Sequence, residues 1–242
     1  MHRLLTTSRE LDSRTPSLTK EAARHLKVLR PRNGEKIELF DGLGSWRVYA
    51  YADGRLTAVS DKCRLPEPKR RLTLFACVTK GSRWDWTIEK ATELGVSRIV
   101  PVISERTIVR IPAAERDAKR ERWMRIAADA ARQSDAKWLP QVLAPVDFGE
   151  SLELVKSCRC FAGALTQPRP RPLAEAVCAA KEDRDGETDW GIFIGPEGDF
   201  TAGELAALLK LAEPTDFGET ILRAETAAIF ALSVLKGHLM SR

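Results

Sequence analysis

Residues 192–201, Ile-Phe-Ile-Gly-Pro-Glu-Gly-Asp-Phe-Thr, carry an apolar run that stops at Gly195-Pro196. A helix is signalled directly behind it. Thr201 and Glu204 form a capping box, in which hydroxyl and carboxylate each satisfy an exposed amide. Leu205, Leu208, Leu209 and Ala212 follow at i, i+3, i+4 and i+7, which predicts one apolar helix face reaching Ala212. Residues 190–212 therefore read as strand, glycine turn, helix, with Glu197 at the strand tip. Gly195 and Gly198 let the backbone approach a ligand closely and expose its N–H and C=O groups. Taken alone, such a turn is as readily structural as functional.

Outward from this turn, strands and helices alternate from Leu72 onward. LTLFACV (72–78), RIVPVI (98–103), CRCFAGAL (158–165) and WGIFIG (190–195) are strand-like apolar runs. Between them, Trp84, Ile88, Ala91 and Leu94 fall at helical spacing, with Gly95 as the cap. Ala114 to Gln133 is a longer amphipathic helix with Trp123, Ile126, Ala127 and Ala130 on one face, and LAEAVCAAK (173–181) is helix-like. KEDRDGETD (181–189) reads as a charged, mobile loop. The alternation predicts an α/β domain built on a largely parallel sheet with helices on both faces. Ligands of such sheets sit outside the carboxyl ends of the strands, where 195–200 stands.

The first 71 residues differ. EAARHLKVLRPRNG (21–34) is a short helix ended near Pro31, with Asn33-Gly34 as its turn. EKIELF (35–40), SWRVYAYA (45–52) and LTAVSDKC (56–63) are short strands separated by Asp41-Gly42 and Asp53-Gly54, which predicts a small β-barrel. A linker over Pro66–Arg71 sets the expected domains at 1–68 and 69–242. Residues 1–71 hold 16 Lys and Arg against 9 Asp and Glu, and the rest of the chain holds 23 against 25. A basic segment on a near-neutral body points to a polyanion, nucleic acid being the usual one. The chain's 242 residues, 43% hydrophobic and 30% charged, suit a soluble protein, with no apolar run that would span a membrane. The N-terminus lacks a signal peptide's apolar region. Five cysteines without a C-x-x-C pair, and three histidines far apart in sequence, predict a reduced, cytoplasmic protein without metal. Cys158 and Cys160 read as buried thiols.

No G-x-x-x-x-G-K-[ST] phosphate loop occurs, and Gly42 and Gly44 lack the third glycine of a dinucleotide fingerprint. What gives the glycine turn meaning is FGETILRAETAA (217–228), a second ligand-like stretch running into the last helix. Together with IGPEGDFT (194–201) it resembles the SPOUT class of RNA methyltransferases. Within that class the chain is similar to the 16S ribosomal RNA (uracil-N3) methyltransferase family, RsmE. ARHLKVLRPRNGEKIELFDGLG (23–44), KGSRWDWTIEKATELGVSRIVPVISERT (80–107) and AARQS (130–134) extend the resemblance over nearly the whole chain.

The resemblance implies an N-terminal PUA-like β-barrel, a C-terminal α/β domain tied in a trefoil knot, S-adenosylmethionine as cofactor and a homodimer. It implies a cofactor site at Leu165, Thr166, Gly195, Pro196, Glu197, Gly198, Gly218, Ile221, Leu222 and Thr226. An RNA surface at Arg3, Lys27, Arg30, Arg32, Arg132 and Gln133 is expected with it, and 16S ribosomal RNA as the partner. Methylation of a uracil N3 needs an acceptor for its proton and positive charge near the developing oxyanions. Arg223 is the candidate cation and Glu225 or Glu197 the candidate base. Arg223 and Glu225 can equally pair with one another, and Glu197 can equally cap local amides. Two departures stand out. Asp199 occupies a position where members carry a second glycine, which requires a negative φ there. Asp135-Ala136-Lys137 replaces the family's Gly-Arg, leaving that arginine's role to Lys137 or to no residue. Two alternatives remain open: a knotted methyltransferase with another base or a ribose as target, and a catalytically silent RNA-binding assembly factor.

Overall fold

The computed structural model describes residues 1–180 and 188–241. Residues 181–187, most of the charged loop expected at 181–189, lie outside them. The chain divides into two compact units: Met1–Pro68 with Ala128–Leu139, and Lys69–Ala127 with Pro140–Arg242.

The first unit contains β1 (His2–Leu5), α1 (Ser8–Asp12), α2 (Lys20–Leu29), β2 (Lys36–Phe40), β3 (Ser45–Ala52), β4 (Arg55–Ala58) and β5 (Cys63–Arg64). The sheet runs β1-β2-β3-β4, with β5 pairing the start of β3. Asp53 (φ 47) and Gly54 (φ 82) both take left-handed conformations, giving the two-residue turn that matches the twist of β3 and β4. Leu4, Leu11, Leu26, Ile37, Leu39, Tyr49 and Leu56 form the core. The sequence did not announce β1; it forms because Leu4 completes that core in parallel pairing with β2. The strand expected over 56–63 is really two pieces. Pairing with β3 stops at Ala58 and resumes at Cys63, while Arg47 Nε donates to the Ser60 carbonyl in between.

Residues 128–139 belong to this same unit. Gly44 N–H donates to the Lys137 carbonyl at 2.9 Å and Leu139 N–H to the Gly42 carbonyl at 2.9 Å. Lys137 Nζ pairs with the buried Glu38 and with Asp135 and lies 4.9 Å from the Trp46 ring centroid. Its ammonium is thus committed inside the unit, so Lys137 does not present the cation of the family's Gly-Arg.

The second unit contains β6 (Leu72–Cys77), α3 (Ser82–Glu93), β7 (Arg98–Ile103), most of α4 (Arg116–Ser134), β8 (Gln141–Val142), β9 (Val146–Asp147) and α5 (Phe148–Val155). It continues with β10 (Arg159–Gly163), α6 (Leu173–Ala179), β11 (Trp190–Ile194), α7 (Ala202–Leu208), β12 (Ala212–Thr215) and α8 (Ala224–Met240). All strand pairs are parallel, in the order β12-β10-β11-β6-β7-β8, with β9 also on β7. The central strands are apolar on both faces, as a parallel sheet covered twice requires. Phe75, Cys77, Val100, Val102, Ala162 and Phe193 pack against Phe148, Phe200, Leu205 and Leu208. α8 covers β6 and β11 on their other side chains, beside α3 and α6. Cys160 is buried and Cys158 half-buried, both beside Gly191, where an added Cβ would lie 2.8 Å from Cys158 Sγ and 3.3 Å from Cys160 Sγ.

One helix boundary changes. The apolar face expected to reach Ala212 ends with α7 at Leu208, and Ala212 opens β12 opposite Cys160. β12 contains Pro214, tolerated because this is an edge strand.

Candidate active site

A cavity of about 330 Å³ lies at the carboxyl ends of β10, β11 and β12, the position expected for a parallel sheet. Its lining comes from the last residue of β10 and the two after it (163–165), from the end of β11 and the turn behind it (194–197 and 199), and from the end of β12 through the loop into α8 (215–218 and 220–224). Local packing explains the small residues. A Cβ on Gly163 would sit 2.5 Å from the Phe217 ring, and one on Gly195 3.0 Å from the Phe200 ring. Gly218 has φ +114, which side chains avoid. Asp216, nearly buried, accepts from Arg169 Nε at 2.7 Å and from Gly218 N–H at 3.2 Å, and Arg169 Nη2 donates to the Gly218 carbonyl at 2.8 Å. These bonds tie the loop after β10 to the loop after β12.

The glycine turn is held from outside the cavity. Arg83, in the first turn of α3, pairs with Glu197 at 3.2 Å. Arg106 Nη1 donates to the carbonyls of Gly198 (3.1 Å) and Phe200 (3.3 Å). Glu204 completes the capping box with Thr201 and also accepts from Glu105 N–H. One expectation is corrected here. Asp199 has φ +59, not a negative value. Its own carboxylate accepts the following Phe200 N–H at 2.7 Å, the kind of local bond that lets aspartate occupy the left-handed region. Gly198 is not at a positive φ, and a Cβ there would meet Arg106 no closer than 3.6 Å, so that position has room.

Of the ten residues expected to hold a cofactor, Leu165, Gly195, Pro196, Glu197, Gly218, Ile221 and Leu222 line the cavity. Thr166, Gly198 and Thr226 do not; the Thr166 hydroxyl donates to the carbonyl of Pro168 in its own loop. Of the lining residues, Glu197, Ile221 and Leu222 have N–H groups with no partner among the described residues. Apolar walls from Leu165, Ile194, Pro196, Ile221 and Leu222, edged by free backbone groups, suit a flat heteroaromatic ring read by its polar edge. Arg223 also lines the cavity, with an exposed side chain and no ion pair among the described residues. Glu225 is buried in the first turn of α8 and its Oε2 has no hydrogen-bond partner. The Arg223–Glu225 pairing considered above is therefore not formed. Arg83, Arg106, Arg169 and Asp216 were missed. The first two lie inside the quoted 80–107 stretch, the only signal that could have pointed to them.

The basic candidates lie in the first unit. Lys27, Arg30 and Arg32 are exposed around the end of α2, without ion pairs among the described residues. Arg3 is engaged by Glu38 and Asp135. Arg132 pairs with Asp129 and donates to His25 Nδ1 at 3.0 Å, which leaves its side chain only 12% exposed. Burial and the Arg132 charge lower the His25 pKa, keeping that ring neutral to accept this bond. Arg3 and Arg132 are thus internal braces as folded, whereas Gln133 is exposed. Among the described residues no group of three or more His, Cys, Asp or Glu could hold a metal, and no helix is long and apolar enough to cross a membrane.

The family described as RNA methyltransferase domain matches residues 66–236, and that described as RNA methyltransferase PUA domain matches 18–59. The ribosomal RNA small subunit methyltransferase E of Synechocystis sp. is 32% identical, across 99% of this chain and 78% of that protein. A solved structure of ribosomal RNA small subunit methyltransferase E from Neisseria gonorrhoeae, bound to S-adenosyl methionine, is 27% identical with a TM-score of 0.79, covering 98% of this chain and 97% of that one. A solved structure from Legionella pneumophila shares the fold, with a TM-score of 0.84 at 24% identity over 98% of this chain and 97% of that one.

Proposed function

Because the chain belongs to the ribosomal RNA small subunit methyltransferase E family of RNA methyltransferases, we propose that it methylates N3 of a specific uridine in 16S ribosomal RNA, with S-adenosylmethionine as the methyl donor. The observation that carries this reading is the cavity at the ends of β10, β11 and β12, with its apolar walls and free backbone N–H groups. Leu165, Gly195, Pro196, Glu197, Gly218, Ile221 and Leu222 would hold the cofactor. When bound, it supplies a methyl group already activated as a sulfonium.

The chain's own task is then to align and to move a proton. Uracil N3 is a poor nucleophile while protonated, and it faces its partner in a duplex, so the target is unpaired or flipped out. Arg223, uncommitted at the rim of the cavity, stabilises the negative charge that grows on the uracil oxygens. Glu225, with its free Oε2, is the proposed proton acceptor; it stands buried between the lining residues Ala224 and Ala227 rather than in the cavity wall, whereas Glu197 lines the cavity but is already engaged by Arg83. Lys27, Arg30 and Arg32 reach RNA phosphates from the N-terminal domain, which we propose spans 1–68, with the methyltransferase domain over 69–242. The knot, a homodimer and a cytoplasmic location complete the reading. The test is nucleoside analysis of small-subunit RNA from a deletion strain. One 3-methyluridine should vanish and return with the gene; its persistence, or loss of a ribose methyl group instead, refutes the reading.

A further inference from the structure

Resting on the cofactor reading above, we propose that Arg83 is a positioning residue for the cofactor site, acting through Glu197. The geometry begins with the helices. Trp190, at the start of β11, stacks on His238 near the end of α8, and the Cβ position of Gly95, just past α3, lies 3.3 Å from Lys236 Nζ of α8. The far ends of α3 and α8 are therefore neighbours, and α8 begins at the cavity, where Ala224 and Ala227 line it. α3 follows β6, which pairs directly with β11. This brings the first turn of α3 beside the glycine turn.

Arg83 is out of place by local rules. It stands in the first turn of a helix whose N-cap, Gly81, contributes no side-chain bond, and a cation there opposes the helix dipole. Its Nη1 lies 3.2 Å from Glu197 Oε1, which offsets that repulsion. No other residue grips the Glu197 side chain among the described residues, whereas Arg106 holds the carbonyls of Gly198 and Phe200. The two arginines divide the work. Arg106 holds the carbonyl side of the loop, and Arg83 fixes the carboxylate, so that the free N–H of Glu197, which lines the cavity, keeps one orientation. Arg83 does not line the cavity, so its effect passes through Glu197. Without it, binding must first order the turn, and affinity suffers rather than the chemical step.

Calorimetric titration of S-adenosylmethionine into the full chain tests this. Arg83→Ala should weaken binding about tenfold, and Arg83→Lys should recover part of that loss, since an ammonium restores charge but not the planar fork. The melting temperature should fall by no more than about 2 °C, because the pair is partly exposed. Single-turnover methylation at saturating cofactor should stay within about twofold of wild type. Glu197→Gln should cost as much as Arg83→Ala, and the double variant no more than either alone. Unchanged affinity in folded Arg83→Ala would overturn the proposal. So would additive losses, or weakened RNA binding with cofactor binding intact. A wild-type chain that binds no S-adenosylmethionine would instead overturn the cofactor reading, and this inference with it.

Discussion

Gly163→Ala probes whether the cavity wall is as tightly specified as it looks. The new Cβ would lie 2.5 and 2.7 Å from Cε2 and Cζ of Phe217, against about 3.5 Å or more for unstrained carbon contacts. The ring must therefore move by about 1 Å. Phe217 cannot do so unnoticed, because it packs on Phe230 with ring centroids 5.7 Å apart and belongs to the cavity wall. Overpacking of this kind costs about 1–3 kcal/mol. Since Phe217 is only half-buried it can swing outward, so the cost should sit near the low end, about 1 kcal/mol. That lowers the melting temperature of a chain this size by about 2–4 °C. The swing displaces the wall formed by 215–218, so S-adenosylmethionine binding should weaken by about tenfold, which is about 1.4 kcal/mol. Gly198→Ala is the internal control: with ordinary van der Waals distances and no positive φ, it should leave both quantities within about 0.5 kcal/mol of wild type. Thermal unfolding by circular dichroism and titration calorimetry on the same preparations decide the matter. Wild-type values for Gly163→Ala, or equal losses for Gly198→Ala, would show that the wall is not set by this contact.

Arg223→Ala should bind S-adenosylmethionine almost normally but slow single-turnover methyl transfer by about a hundredfold or more, with Arg223→Lys recovering only part. A normal rate would remove this residue from the chemistry. Joint neutralisation of Lys27, Arg30 and Arg32 should weaken RNA binding and lower its dependence on salt by up to about three in slope, as fewer counterions are released. Filter binding across salt concentrations measures it, and an unchanged slope would place the RNA surface elsewhere.

Much of this protein was legible because its signals are local. The capping box at Thr201 and Glu204, the Asp53-Gly54 turn and the apolar runs of β6, β7, β10 and β11 each express a backbone preference within a few residues. The two stretches 194–201 and 217–228 likewise marked where the cavity would open, since each leads from a strand tip to a helix. What stayed hidden depends on partners distant in the chain. β1 and β12 exist because neighbouring strands accept them, and Pro214 is tolerable only at an edge that pairing order creates. The sign of φ at Asp199 followed from one side-chain bond rather than from the residue's usual preference. The same holds for charge. Arg83 and Arg106 turned out to brace the turn, Arg132 and Lys137 to be held internally, and Lys27, Arg30 and Arg32 to stand exposed. Sequence counts an arginine's charge, but only folding decides whether a carboxylate, a carbonyl or solvent receives it, because that choice is made by whichever groups packing brings within reach.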